Sequence, residues 1–286
     1  MKFSVSTYSF QRLVSNGSMT QFDCVSKAGE MGFDAIEFVG IHPHDGSSKE
    51  EYAAKLREEC RRCGLEISNY TVAADLLNGC DGDLDAEVKR LQGEVDIAAI
   101  LGAPGMRHDA AWGTQPYRSF TAVLPRLAEG CRRVTEYAAE KGVRTMVENH
   151  GFFCQDSHRM ERLVQAVDHP NFGLLCDMGN FLCVDEDPVH ALSLTAPYAF
   201  YAHAKDFLVK SGNEEDPGKG FFTSRGGNYL RGTIIGHGVV PVRQCLRILK
   251  QAGYEGAVAI EFEGMEDVLE GISAGLENLR RYAREL

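Results

Sequence analysis

Positive charge is what this sequence is short of: 30 Lys+Arg stand against 41 Asp+Glu, a formal net charge of −11 over 286 residues. Nucleic acids and anionic membranes are gripped through clustered cations, so neither is an expected partner. Long hydrophobic runs are missing as well; no stretch approaches the roughly 20 apolar residues of a membrane span. Met1–Val14 mixes Ser, Tyr, Gln and Arg where a secretory signal would be continuously apolar. Nine cysteines, an odd number, sit in a chain long enough to bury a core without staples. Reduced thiols and a cytoplasmic location are therefore expected. Linkers and low-complexity segments are absent too, so residues 1–286 read as a single domain.

What is present is a regular alternation. Short apolar runs predict strands at Phe3–Tyr8, Ala35–Phe38, Glu66–Tyr70, Met106–His108, Thr145–Glu148, Gly173–Cys176, Phe200–Ala204 and Ala257–Phe262. Three-and-four spacing predicts helices at Met19–Met31, Lys49–Arg62, Asp85–Leu101, Tyr117–Lys141, His158–Val167, Pro188–Thr195, Val242–Gln251 and Met265–Arg284. Strand–helix units of about 30–40 residues point to a closed (β/α)8 TIM barrel, an α/β fold. An open doubly wound sheet would carry a glycine-rich phosphate turn after its first strand; Ser6-Thr7-Tyr8-Ser9-Phe10 is not one. Residues 207–238, between strand seven and helix seven, break the spacing and are expected to be a long loop insertion, a lid or binding loop.

Polar residues that end barrel strands point into the catalytic face. The last four strands end in Val147-Glu148-Asn149-His150, Cys176-Asp177-Met178-Gly179-Asn180, His203-Ala204-Lys205-Asp206 and Glu261-Phe262-Glu263. Capping and ion pairing account for such residues singly. Glu148, Asp177, His203 and Glu261 together would form a site of three carboxylates and one imidazole. Hard oxygens with one nitrogen suit Mn2+ best, with Mg2+, Co2+ or Zn2+ as alternatives. Glu263 lies on the same side of its strand as Glu261, so either acid could serve.

These motifs, with Gly32-Phe33-Asp34-Ala35-Ile36-Glu37 and Ile235-Gly236-His237-Gly238, resemble the xylose-isomerase-like superfamily of sugar isomerases and epimerases over essentially the whole chain. The resemblance implies that Glu148, Asp177, His203 and Glu261 ligate one divalent cation. It also implies that Glu148 and Glu261 act as catalytic acid and base. The expected activity is isomerisation or epimerisation of a small keto-sugar or polyol through a metal-stabilised enediolate. A lyase or dehydratase acting on an inosose or a 3-keto-glycoside would pass through the same enediolate and is the alternative. The superfamily's keto-sugar 3-epimerases place His where this chain has Asn180 and Arg where it has Val209. Both departures point away from 3-epimerisation. Apurinic endonucleases share the barrel, but Asn180 and the acidic charge argue against that activity.

Glu37, His108, Asn180, Lys205 and His237 are expected at the carbohydrate substrate. Trp112 is a candidate for stacking on a sugar ring, and Arg225 and Arg231 for gripping an anionic group, although a solvated surface explains both arginines. His150 is expected beside the metal ligands rather than among them. The His42/His44 pair and the Cys60/Cys63 pair are read as incidental. A homo-oligomer is left open by the sequence.

Overall fold

Strands with both faces apolar need a packed layer on each side, and helices joined to parallel strands supply the outer one. The computed structural model describes residues 1–112 and 119–285, so Tyr117 and Arg118 of the expected fourth helix lie outside the described residues. The parallel strands are β1 (Lys2–Ser6), β2 (Ala35–Val39), β3 (Glu66–Val72), β4 (Gly105–His108), β5 (Arg144–Glu148), β6 (Phe172–Asp177) and β7 (Ala199–Ala204). A small antiparallel sheet follows, made of β8 (Asp206–Lys210), β9 (Phe222–Thr223) and β10 (Tyr229–Thr233). Then β11 (Ala257–Ile260) completes the barrel. Around the cylinder the order is β1-β11-β7-β6-β5-β4-β3-β2, closed by β1 pairing with both β11 and β2.

The helices are α1 (Gln11–Ser15), α2 (Gln21–Glu30), α3 (Lys49–Arg62), α4 (Leu84–Leu101), α5 (Phe120–Glu140), α6 (Ser157–Val167), α7 (Pro188–Thr195), α8 (Val242–Gln251) and α9 (Val268–Arg284). In α5 the buried stripe is Leu127, Cys131, Val134 and Ala138, as the spacing predicts. Capping boxes start α2 at Thr20/Asp23 and α3 at Ser48/Glu51.

Alternation along the strands sorts residues between two layers. Leu174 points outward into the core shared with the helices, whereas Leu175 points inward to join Met146, Tyr201 and Ala259 inside the barrel. Two residues further along the same four strands come Glu148, Asp177, His203 and Glu261. The apolar plug therefore ends in a charged rung at the mouth formed by the C-terminal strand ends.

Between β7 and α8, expected as a loop, the chain forms the antiparallel sheet in the order β8-β10-β9. Its base is an anchor at Asp206, whose carboxylate accepts backbone N–H groups from Phe207, Gly236, Gly238 and Val240 at 2.8–3.0 Å. Gly238 is required there, since a Cβ would lie 2.2 Å from Asp206 Oδ1. The Asp of H-A-K-D and the G-x-G turn are thus two halves of one contact. Among the described residues no helix is long and apolar enough to cross a membrane.

Leu174 is 1% exposed. Leu174→Ala is expected to destabilise the protein by about 2–5 kcal/mol, read as a lower denaturation midpoint at unchanged m-value.

Candidate metal centre

Each of the four side chains occupies the strand-end position that alternation assigns to the barrel interior. Asn149 locks two of those ends together: its Nδ2 donates to the Asp177 carbonyl at 2.9 Å and its Oδ1 accepts the Asp177 N–H at 2.8 Å. The Asp177 Oδ1 atom accepts the Gly179 and Asn180 N–H groups at 2.7 and 2.9 Å, which aims Oδ2 into the barrel.

His203 Nδ1 stands 3.7 Å from Glu148 Oε1, 3.7 Å from Asp177 Oδ2 and 3.7 Å from Glu261 Oε1. The four donor atoms all lie within 4.8 Å of one another. Donors bound at about 2.0–2.3 Å to one small divalent ion sit roughly 3–4 Å apart, so this group could hold one. Two of its atoms, Asp177 Oδ2 and His203 Nδ1, are buried without a hydrogen-bond partner among the described residues. A buried carboxylate oxygen and an imidazole nitrogen in that condition are costly unless a cation satisfies them. Of the two strand-eight acids, Glu261 belongs to this group and Glu263 does not.

Glu37 determines which imidazole nitrogen is available. Its Oε2 accepts from His203 Nε2 at 2.7 Å, while its Oε1 accepts from Thr71 Oγ1 at 2.6 Å and Asn69 Nδ2 at 3.0 Å. With Nε2 committed as donor, the lone pair of a neutral ring is on Nδ1, facing the carboxylates. Burial pushes the His203 pKa down, but Glu37 and Glu261 overcome it and hold the ring well above the usual imidazole range. A cation would have to displace that proton.

Two fixed cations border the ring of acids. Arg107 NH2 contacts Glu148 Oε2 at 2.5 Å and Asp109 Oδ1 at 2.8 Å. Burial opposes ionisation of Glu148, yet Arg107 and His203 keep its carboxyl well below the ordinary range. Lys205 Nζ lies 2.5 Å from Glu261 Oε2, 3.2 Å from Glu263 Oε1 and 3.5 Å from Asp177 Oδ2. Burial would favour a neutral amine, but Asp177, Glu261 and Glu263 together hold Lys205 protonated. Glu261 moves the other way from Glu148: burial raises its pKa and Lys205 only partly offsets this.

A cavity of about 270 Å³ opens above this ring, bordered by Tyr8, Arg107, Trp112, His150, Lys205 and Glu263 among others. Lys205 lines it, while Asn180 lies just below, donating to Glu148 Oε1 at 3.0 Å and accepting from Lys205 at 3.3 Å. Glu37 is fully buried, hydrogen-bonded to His203, Asn69 and Thr71, and lines no part of the cavity. His108 points outward from the barrel, its Nδ1 on the Asp109 carbonyl at 2.8 Å, and burial pushes its pKa down. The register is one residue off: Arg107 and Asp109 flank His108 and face inward. His237 is exposed on the Gly236–Gly238 turn and lines no part of the cavity. Sequence reasoning missed Arg107; a lone Arg in a buried four-residue strand was the available signal.

Trp112, 46% exposed, meets the His150 ring edge-on at the mouth. His150 Nδ1 contacts Asp109 Oδ1 at 2.9 Å. Arg225 is exposed and tied to Asp156, and Arg231 stacks over Phe221. His42 and His44 are exposed and outside any metal-sized cluster among the described residues, and Cys60 and Cys63 are unbridged.

Residues 25–282 match the model of the family described as xylose isomerase-like TIM barrel. The inosose dehydratase of Geobacillus thermodenitrificans (strain NG80-2) is 28% identical over 162 residues, 56% of this chain and 53% of that protein. The chain thus spans about half the length of the curated relatives it matches. Among solved structures, the IOLI protein with a binding zinc atom superposes at a TM-score of 0.78 and 17% identity, over 100% of this chain and 99% of that one. The probable 3-DHS dehydratase AsbF from Bacillus anthracis gives 0.77 at 19% identity, over 98% and 99%. At those identities the likeness is one of fold.

Glu37→Gln is expected to weaken Mn2+ binding by about 10–100-fold while the far-UV spectrum is unchanged, measured by titration calorimetry. Because the metal-free His203 ring is protonated, Mn2+ uptake at neutral pH should release a proton. Apparent affinity should therefore rise with pH until the ring titrates and level off above that point. Calorimetry in two buffers of different ionisation enthalpy reads the proton directly; identical heats would contradict it.

Proposed function

The chain belongs to the xylose isomerase-like TIM-barrel family, and we propose that within it this protein is a divalent-metal-dependent lyase that eliminates across the carbon–oxygen bond of a small keto-polyol of the inosose kind. The observation that carries this reading is Lys205. A buried ammonium, 2.5 Å from a ring carboxylate and lining the cavity, places a general acid beside a general base.

Glu148, Asp177, His203 and Glu261 would hold the cation. When bound, it would draw electron density from a ketone and its neighbouring hydroxyl and make the adjoining C–H more acidic. The chain's own residues do the rest. Glu148 has one oxygen on Arg107 and the other on Asn180, which leaves it an anchored anion. Glu261 is the carboxylate next to the proton donor and accepts the α-proton. Lys205 delivers a proton to the departing oxygen. Since Glu261 and Lys205 adjoin, both transfers take place on one side of the substrate, and the elimination is syn. Arg107 and Asn180 lie close enough to the cavity to order hydroxyls or the carbonyl. The dehydratase names of the curated relatives support the same class.

Isomerisation or epimerisation is the second reading. It is favoured by the placement of Glu148 at the end of β5 and Glu261 directly after β11, with β6 and β7 between those strands, so that carboxylates border the site from two sides. Epimerisation needs both to exchange protons with the same carbon, and the Arg107 contact works against that for Glu148.

Proton NMR in D2O with a panel of inososes and ketoses separates the two. The expected result is loss of water and a new enone. Lys205→Met should cut elimination by at least about 100-fold while α-deuterium exchange persists. Solvent deuterium entering a product that keeps all its oxygens would favour the isomerase instead.

A further inference from the structure

Asn180 touches both Glu148 and Lys205, and its amide is only as well placed as the backbone that carries it. That backbone is the short helical turn Asn180–Val184, which closely follows β6. The Asn180 N–H donates to Asp177 Oδ1 at 2.9 Å, and its carbonyl accepts from Gln155 Nε2 at 2.6 Å. Gly179 lets the turn settle against Lys205, whose carbonyl oxygen would lie 3.1 Å from a Cβ there. On the other side Phe207 and Leu230 of the small sheet pack on Cys183 of the turn.

The tip of that sheet, Ser224–Asn228, grips the far end of the turn. Asp185, which ends the turn, accepts from Ser224 Oγ at 2.6 Å, from Asn228 Nδ2 at 2.8 Å and from the Gly226 N–H. The Arg225 N–H donates to the Cys183 carbonyl at 2.8 Å. A second route starts at the Arg225 guanidinium, which meets Asp156 Oδ2 at 3.1 Å and the Phe152 carbonyl at 3.4 Å. The Phe152 N–H in turn donates to Gln155 Oε1 at 2.6 Å, and Gln155 is the side chain on the Asn180 carbonyl. Both routes therefore end on one residue. Asp185 and Phe152 have φ of +60° and +65°. Left-handed backbone is uncommon for Asp and an outlier for Phe, and it persists where surrounding contacts over-determine it. The two strained residues are two of the points that the tip touches.

We propose that Asp185 and Arg225 are positioning residues, through which the tip of the β8-β10-β9 sheet fixes the Asn180 amide between Glu148 and Lys205. The inference deepens the lyase reading, on which its catalytic consequence rests; its effect on the metal group does not depend on the reaction. Held in place, the amide keeps Glu148 Oε1 turned toward the other ligands and gives the Lys205 ammonium a fixed acceptor. With the tip released, the turn shifts, the amide rotates, and Glu148 and Lys205 lose their common partner. The stretch between β7 and α8 then works as a strut for the site and not as a moving cover.

The test is a double-mutant cycle read by Mn2+ titration calorimetry on the full chain. Gly226→Ala would bring a Cβ within 2.6 Å of Asp185 Oδ2, and Arg225→Ala removes the second route; both positions are exposed. Each is expected to weaken Mn2+ binding by about 3–10-fold, short of the 10–100-fold typical of a direct partner to a ligand. In an Asn180→Ala background the same changes should alter affinity by less than about 2-fold, because contacts that act through one residue do not add. Arg225→Lys keeps a donor for Asp156 and the Phe152 carbonyl and should recover most of the loss. Ser224→Ala, which deletes the hydroxyl on Asp185, takes the place of Gly226→Ala if that variant does not fold. Losses that simply add to that of Asn180→Ala, or unchanged affinity in every tip variant, overturn the positioning role. If the cycle is non-additive but the Mn2+-loaded protein leaves inososes intact, the lyase reading falls and the positioning of Asn180 stands.

Discussion

Negative charge crowded into a low-dielectric barrel mouth is the constraint on which the site depends. Glu37, Asp109, Glu148, Asp177, Glu261 and Glu263 converge there, and among the described residues only Arg107 and Lys205 answer them with fixed positive charge. Carboxylates a few ångströms apart repel by several kcal/mol at an effective dielectric of about 20. The contacts divide the load: Arg107 takes Glu148 and Asp109, Lys205 takes Glu261 and Glu263, and His203 takes Glu37. What this leaves over is Asp177 Oδ2 and His203 Nδ1, the two atoms facing the centre with no hydrogen bond. A divalent ion fits that remainder in charge, in donor type and in spacing.

The same constraint explains why some of the site was legible in the sequence and some was not. Glu148, Asp177, His203 and Glu261 each end an apolar run on strands whose alternation is unambiguous, so one parity argument placed all four. β4 offers no such run. Gly105-Met106-Arg107-His108-Asp109 gives three consecutive polar side chains, and parity could be assigned either way; the structure turns Arg107 and Asp109 inward. Glu37 shares the inward face but lies below the cavity, against His203. Alternation specifies a side of the strand but not whether a neighbour such as His203 already occupies the space above. The β8-β10-β9 sheet escaped for a different reason. Its strands hold only five, two and five residues, and the Gly, Asn and charge of the segments that join them, 211–221 and 224–228, leave no period-two run long enough to read.

Asn180 shows how one neutral side chain redirects the site. It donates to Glu148 and accepts from Lys205, bridging the Arg107-bound carboxylate and the ammonium. A protonated imidazole in that position would repel Lys205 and compete with Arg107 for Glu148. An amide accommodates the ammonium without adding charge. Val209, at the other departure from the 3-epimerase pattern, lies on β8, whose outer residues are exposed, and it supplies no cation to the mouth. Positive charge above the ring is thereby concentrated in Arg107 and Lys205.

In the proposed lyase, reaction direction would follow from where the mobile proton sits. Epimerisation asks the protein to hold two comparable bases, one empty and one loaded, on opposite sides of a carbon. Here the two glutamates are pushed apart instead: Arg107 keeps Glu148 well below the usual carboxyl range, while burial raises Glu261. A base next to a charged acid and an anion fixed across the ring form an asymmetric pair. Such a pair is suited to taking a proton and returning one to an oxygen on the same side, and poorly suited to returning it to the opposite face of the same carbon. The asymmetry originates in Arg107, a residue of β4 with no place in the metal group. In the proposed lyase the outcome of the chemistry would thus be set partly by β4, the strand whose alternation the sequence shows least clearly.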